Sequence, residues 1–287
     1  MKEFYANNDE TKARIHEWGN EDFPTIICLH GLGSTSLSFI ELGQLLENKY
    51  HIISIDLPGH GKTPEFIKEE DYAMPNMVKW VDNIVSNLTE HNFYLLAHSY
   101  GADIALHYLS TYPSKIIKVM LLDGGYYIKT DLYDYATSKS DNINSLQKEI
   151  DYYIKDFDGY FFNSLEEHIE VEKNNYLRWS NLLEEASIDL VRTDKGKFIW
   201  HANGHTSTGA IKSMYNYPPN SIYDKLPKTI CLLQSTLPES MNEIRNVLAK
   251  KFCDSTDSKL IRIEGAGHLI HWDKPDEVVN EVLHWFQ

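Results

Sequence analysis

LLAHSYGADIAL, residues 95–106, decides the fold. An apolar, strand-like run (FYLLAH, 93–98) meets a helical pattern (Tyr100 to Tyr112) at a single hydroxyl, Ser99, with Ala97 and Gly101 two residues to either side. A turn this tight presses its flanking residues against neighbouring backbone and so demands small side chains there. An ordinary helix N-cap explains the serine. It does not explain both small flanks, so A-H-S-Y-G reads as a nucleophile elbow with alanine in the place of the usual first glycine.

Outward from that turn the same rhythm repeats. Strand-like runs at TIICLH (25–30), HIISID (51–56) and IIKVMLLD (116–123) alternate with helical patterns at Ser36 to Glu47 and Pro75 to Glu90. These runs are apolar throughout instead of alternating, as strands of a parallel sheet covered on both faces are. The pattern is that of an α/β fold. It resumes at KTICLLQS (228–235), a helix near Met241 to Phe252, KLIRIE (259–264) and a last helix near Asp276 to Trp285.

About a hundred residues separate the strands ending at Asp123 and beginning at Lys228, too many for a structureless loop. The helical stretches SLQKEIDYYIKDF (145–157) and SLEEHIEVEKNNYLRWSNLLEEA (164–186) predict a mainly helical cap over residues 126–225, with GKFIWHANG (196–204) as its exit. The core domain is then 1–125 and 226–287. Tyr126, Tyr127, Tyr153, Tyr160, Phe161, Phe162 and Trp179 either line a pocket or form the cap's own core, since both uses draw on the same side chains. Tyr126, Tyr127 and Trp179 are the candidates for substrate contact.

In an open parallel sheet the reactive groups gather beyond the carboxyl ends of the strands. H-G-L-G-S-T (30–35) follows the first predicted strand, and a loop there presents fixed backbone N–H groups to a developing oxyanion. The predicted donors are the amides of Leu32 and of Tyr100, the residue after Ser99. G-A-G-H-L-I-H-W-D-K-P-D-E-V (265–278) follows the last predicted strand and supplies the base, His268, on a glycine-rich loop able to lean over the serine. His271 is its local competitor, while His30, His60 and His98 read as turn-shaping residues.

Taken together, H-G-L-G-S, D-L-P-G-H-G-K-T (56–63), A-H-S-Y-G and G-A-G-H-x-x-x-x-D-K-P resemble, in order and spacing, the α/β-hydrolase superfamily. The resemblance implies a mostly parallel eight-stranded sheet flanked by helices, a cap after the sixth strand, and a Ser, acid, His triad in that chain order. In such relatives the acid usually follows the seventh strand, in G-x-x-D. Here that loop reads Q-S-T-L-P-E (234–239), and Glu239 lies about one residue beyond the usual place. Some members instead use the end of the sixth strand, where L-L-D-G-G puts Asp123. Asp123 is the preferred acid and Glu239 the alternative; Asp56 is expected to organise its loop.

Net charge −15, from 27 basic and 42 acidic residues, argues against nucleic acid or an anionic membrane as partner. A neutral or cationic small molecule fits better. The amino-terminal stretch lacks the apolar segment of a signal peptide, so a soluble, cytoplasmic protein is expected. Cys28 and Cys231 sit in apolar runs as buried thiols, and three scattered cysteines give neither a disulfide framework nor a metal site. No metal or cofactor is required by the expected reaction, hydrolysis of a carboxylic ester, lactone or thioester. The alternatives are an aminopeptidase, with Glu166, Glu167, Glu170 or Glu172 of the cap on a free amine; a C–C bond hydrolase; an acyltransferase; and a ligand-binding protein of low turnover. Oligomeric state is left open.

Overall fold

The computed structural model describes residues 1–8 and 11–287. Its strands are β1 (Lys2–Asn8), β2 (Thr11–Trp18), β3 (Thr25–Leu29), β4 (His51–Ile55), β5 (Phe93–His98), β6 (Ile116–Leu122), β7 (Phe161–Phe162), β8 (Val191–Asp194), β9 (Lys197–Trp200), β10 (Ile230–Ser235) and β11 (Lys259–Ile263). The helices of the first half are α1 (Ile40–Leu46), α2 (Met74–Val85), α3 (Tyr100–Thr111), α4 (Lys129–Ser138) and α5 (Leu146–Gly159). Those of the second are α6 (Leu165–Asn175), α7 (Asn181–Ile188), α8 (Gly204–Asn216), α9 (Asn242–Thr256), α10 (Ile270–Asp273) and α11 (Pro275–Trp285).

Eight strands form one sheet in the order β1-β2-β4-β3-β5-β6-β10-β11. Pairing is parallel from β4 to β11 and antiparallel where β2 meets β1 and β4. The unbroken apolar runs follow from burial on both faces, because successive side chains of a strand point to opposite sides. Ile27, Leu29, Leu95, Ala97, Val119 and Leu121 join one apolar layer, beneath α2, α3 and α9. Their neighbours Ile26, Cys28, Leu96, Met120 and Leu122 join the other, beneath α1 and α11.

Two features depart from the sequence pattern. The hairpin β1–β2 completes the sheet from residues to which the pattern assigns no element; among the described residues Ala6, Ala13, Ile15 and Trp18 are its buried apolar anchors, too sparse a signal beside the runs that follow. The segment between β6 and β10 holds α4 to α8 but also a three-stranded sheet, β7-β9-β8. KFIW within GKFIWHANG is its middle strand: Lys195 and Gly196 both take positive φ (48° and 78°), the turn geometry that joins β8 to β9 as a hairpin. The long helical stretch 164–186 divides into α6 and α7, with Ser180 capping the second by accepting from the Leu183 amide. Between them Arg178 leaves the helical path to bond Glu41 of α1 at 2.6 Å.

Candidate active site

β5 ends at His98, and the chain turns at once into α3. Ser99 takes φ 50° and ψ −120° there, outside the regions favoured by residues with a side chain. The turn persists because the packing around it leaves no room to relax. A Cβ on Gly101 would lie 2.3 Å from the Leu29 carbonyl oxygen, so the second small flank is obligatory. Ala97, fully buried in β5, shows that its methyl group fits.

His268 lies in the loop between β11 and α10, with its side chain half exposed. Its Nε2 is 2.9 Å from Ser99 Oγ, and its Nδ1 is 2.8 Å from Asp123 Oδ2. The loop is tied down on both sides of the imidazole. The Gly267 amide donates to Asp273 (2.7 Å), and His98 Nε2 bonds the His268 carbonyl (2.9 Å). Burial holds the His98 imidazole neutral, well below its ordinary pKa, so that nitrogen serves as a plain donor. His271 is likewise buried, its pKa lowered by burial to about 3, and it bonds Ser38 Oγ at 2.7 Å while stacking on Phe39.

Asp123 stands just past the end of β6 with φ 44°, wholly buried. Four hydrogen bonds reach it: from His268, from the Tyr126 hydroxyl (2.8 Å), and from the Ser235 amide and hydroxyl (3.2 and 2.8 Å) at the end of β10. Burial alone would raise its pKa. Those donors outweigh it and hold the carboxyl below the usual aspartate value. Glu239 is exposed at the start of a short 3₁₀ turn and does not meet His268.

The loop following β3 closes the other side. His30 Nδ1 bonds the Gly31 carbonyl (2.8 Å) and its Nε2 accepts from the Leu57 amide (3.0 Å), coupling this loop to the one after β4. Asp56 organises the latter, accepting from Arg14 Nε (2.6 Å), the Ser36 amide and hydroxyl (2.7 and 2.6 Å) and the Lys62 amide (2.9 Å). Leu32 and Tyr100 both line the cavity that contains Ser99 and His268.

A family model described as "alpha/beta hydrolase fold" matches residues 24–275. The chain belongs to the α/β hydrolase fold family. A "Serine hydrolase-like protein" of Danio rerio is 27% identical over 291 residues, covering 96% of this chain and 85% of that protein. A "Serine hydrolase-like protein" of Homo sapiens is 29% identical over 106 residues, which is 37% of this chain and 52% of that protein. Among solved structures, the "Thioesterase Domain From Curacin Biosynthetic Pathway" superposes with a TM-score of 0.75 at 17% identity, covering 99% of each chain, a likeness of fold. Hydrolase is the class these comparisons support. No helix among the described residues is long and apolar enough to cross a membrane.

In this α/β hydrolase the cavity at the strand ends measures about 260 Å³ and is walled by Tyr127, Leu132, Tyr153, Ile211 and Met214 from the segment after β6. Of the three aromatic residues expected at the substrate, only Tyr127 lines it. Tyr126 is fully buried behind Asp123, where its hydroxyl is spent on the carboxylate and on the Tyr127 hydroxyl (2.8 Å). Trp179 stacks beside Tyr176 and donates to Glu184 (3.3 Å), packing the segment onto the sheet's second apolar layer. The four candidate carboxylates of α6 also lie elsewhere: Glu166, Glu167 and Glu170 are exposed, and buried Glu172 accepts from the Tyr160 and Tyr176 hydroxyls. Asp103, Lys129 and Glu149 line the cavity instead, and no motif marks them. The one available signal is a charge, Asp103, inside the otherwise apolar run YGADIAL.

Proposed function

We propose that this protein is a serine hydrolase that cleaves an ester-like bond, a carboxylic ester, lactone or thioester, of a small molecule. The observation that carries the reading is the imidazole of His268 standing between two partners, 2.9 Å from Ser99 Oγ and 2.8 Å from Asp123. In the first half-reaction Ser99 Oγ passes its proton to His268 Nε2 and bonds the carbonyl carbon, whose π electrons move to oxygen. The amides of Leu32 and Tyr100 are assigned to that oxyanion. When the carbonyl re-forms, the bond to the leaving oxygen or sulfur breaks and the leaving group takes the proton from His268. Water then repeats the sequence on the acyl-enzyme: His268 removes its proton, the hydroxyl adds to the carbonyl, and Ser99 Oγ leaves with that proton as the acid is released.

Asp123 orients the ring by accepting from Nδ1–H and stabilises the imidazolium that forms at each step. Its buried carboxylate stays ionised because its hydrogen bonds favour that form, so the acceptor is in place before substrate arrives. Residues 126–225 are read as a cap over a core of 1–125 and 226–287, closing the cavity above the serine. The test is pre-steady-state hydrolysis of p-nitrophenyl esters of graded chain length. A burst of nitrophenol stoichiometric with enzyme, absent in Ser99→Ala, is expected; full activity in Ser99→Ala ends the proposal.

A further inference from the structure

The cavity holding Ser99 and His268 carries a second polar feature that hydrolysis of an uncharged ester leaves unused. Lys129 Nζ donates to Glu149 at 2.5 Å, and the Tyr133 hydroxyl donates to the other oxygen of the same carboxylate. Glu149 is therefore satisfied and its charge cancelled. Asp103 has no such side-chain partner: it is 5% exposed, it lines the same cavity, and among the described residues no side chain donates to it or forms an ion pair with it. Backbone amides at Gly125 and in its own helical turn are what face its carboxyl. Two carboxylates and one ammonium leave this wall short of one positive charge.

Asp103 lies one helical turn beyond the nucleophile on α3, its own amide directed at the Ser99 carbonyl (3.4 Å). We propose that the substrate carries a protonated amine, seated against Asp103 in this cavity a few bonds from the carbonyl that Ser99 attacks. This deepens the serine-hydrolase reading and rests on it. An ammonium there supplies the missing cation and a charge-assisted hydrogen bond to a desolvated carboxylate. An uncharged occupant leaves that carboxylate unpaired or forces it to take up a proton, and an anionic one meets two like charges. Burial, partly opposed by Lys129, pushes the Asp103 carboxyl up to about 7, the response of a buried acid that lacks a full partner. Leu132, Ile211 and Met214 provide apolar wall for the methylenes that join amine to carbonyl.

The experiment compares kcat/KM for p-nitrophenyl esters of an ω-amino acid, of the matching alkanoic acid and of the matching dicarboxylic acid. A second pair, an aminoalkyl and an alkyl acetate, places the amine on the leaving side. In at least one pair the amine-bearing ester is preferred by about tenfold or more, chiefly through KM, the low end of what a close charge pair contributes. Asp103→Asn abolishes the preference and Asp103→Glu retains part of it. Ratios near one in both pairs, a preference unchanged in Asp103→Asn, or a preference for the dicarboxylic ester overturns the proposal while leaving the hydrolase reading intact. If none of the esters turns over and a fluorophosphonate fails to label Ser99, the hydrolase reading falls and takes this inference with it.

Discussion

At the tip of β6, Asp123 is fully buried and accepts four hydrogen bonds; in the first turn of α3, Asp103 is nearly as buried and receives none from any side chain among the described residues. Both carboxyls belong to the same end of the same sheet. Their pKa values nevertheless move in opposite directions, Asp123 down and Asp103 up to about 7. Burial penalises the ionised form in both. What differs is that side-chain donors outweigh burial at Asp123, whereas the backbone amides and the Lys129 charge facing Asp103 do not. In the proposed mechanism Asp123 is held ready by the protein itself, as a group that must act identically in each turnover needs to be. Asp103 is left for something that enters the cavity.

The largest effect expected is at the residue on which both readings converge. Ser99→Ala should lower kcat by about 10⁶-fold, measured on whichever ester the wild type hydrolyses best, because a triad acts as a unit. Asp123→Asn comes next, at about 10⁴-fold in kcat, since the amide disturbs the imidazole tautomer. Glu239→Gln, run beside it, should leave kcat within about twofold of wild type, the scale of an exposed side chain remote from the ring. Equal losses in the two variants would break the distinction drawn for Asp123.

Tyr126→Phe removes one of the four donors and sharpens the comparison by moving Asp123 a step toward Asp103. The loss of one hydrogen bond to a charged group is about 1.5 kcal/mol, so kcat should fall about tenfold. The stability of the wild type carries the same signature. Because the Asp123 pKa is depressed on folding, its contribution is present above the ordinary aspartate value and is lost as pH falls through the folded one. The melting-temperature deficit of Asp123→Asn should therefore shrink on acidification below about pH 4.

Asp103 gives the effect of opposite sign, and on stability alone. With its pKa raised, the folded state holds a proton that the unfolded state has released, and stability drains away as pH rises from the ordinary aspartate value to about 7. Asp103→Asn is free of that loss. Its melting temperature should gain on the wild type by roughly 6–8 °C between pH 5 and pH 8, since about two pH units at about 1.4 kcal/mol each amount to about 2.7 kcal/mol. A constant difference across that range would mean that Asp103 is not titrating as a buried acid whose partners fail to offset burial.

How far the sequence discloses these features depends on how local their causes are. Ser99 and His268 stand in short segments whose small neighbours and flanking strands are visible in the chain itself. The parallel sheet is legible for the same reason, because burial on both faces writes long apolar runs. Asp123 against Glu239 is a different matter: each carboxylate follows a strand, and only the folded chain shows which one meets a ring 145 residues away in sequence. Tyr126 and Trp179 share composition with pocket walls, and their actual partners, a carboxylate behind the site and a neighbouring tyrosine, are tertiary. Asp103 is hidden more thoroughly: its charge interrupts the apolar run YGADIAL, but that it has no side-chain partner among the described residues is a tertiary fact no motif records.

The central claim, that Ser99 is the group acylated in catalysis with His268 as its base, is tested most directly by treating the protein with a fluorophosphonate and locating the adduct by peptide mass spectrometry. A single adduct on Ser99 is expected, absent in Ser99→Ala and formed far more slowly in His268→Ala. No adduct on wild-type Ser99, or one formed equally fast without His268, would contradict it.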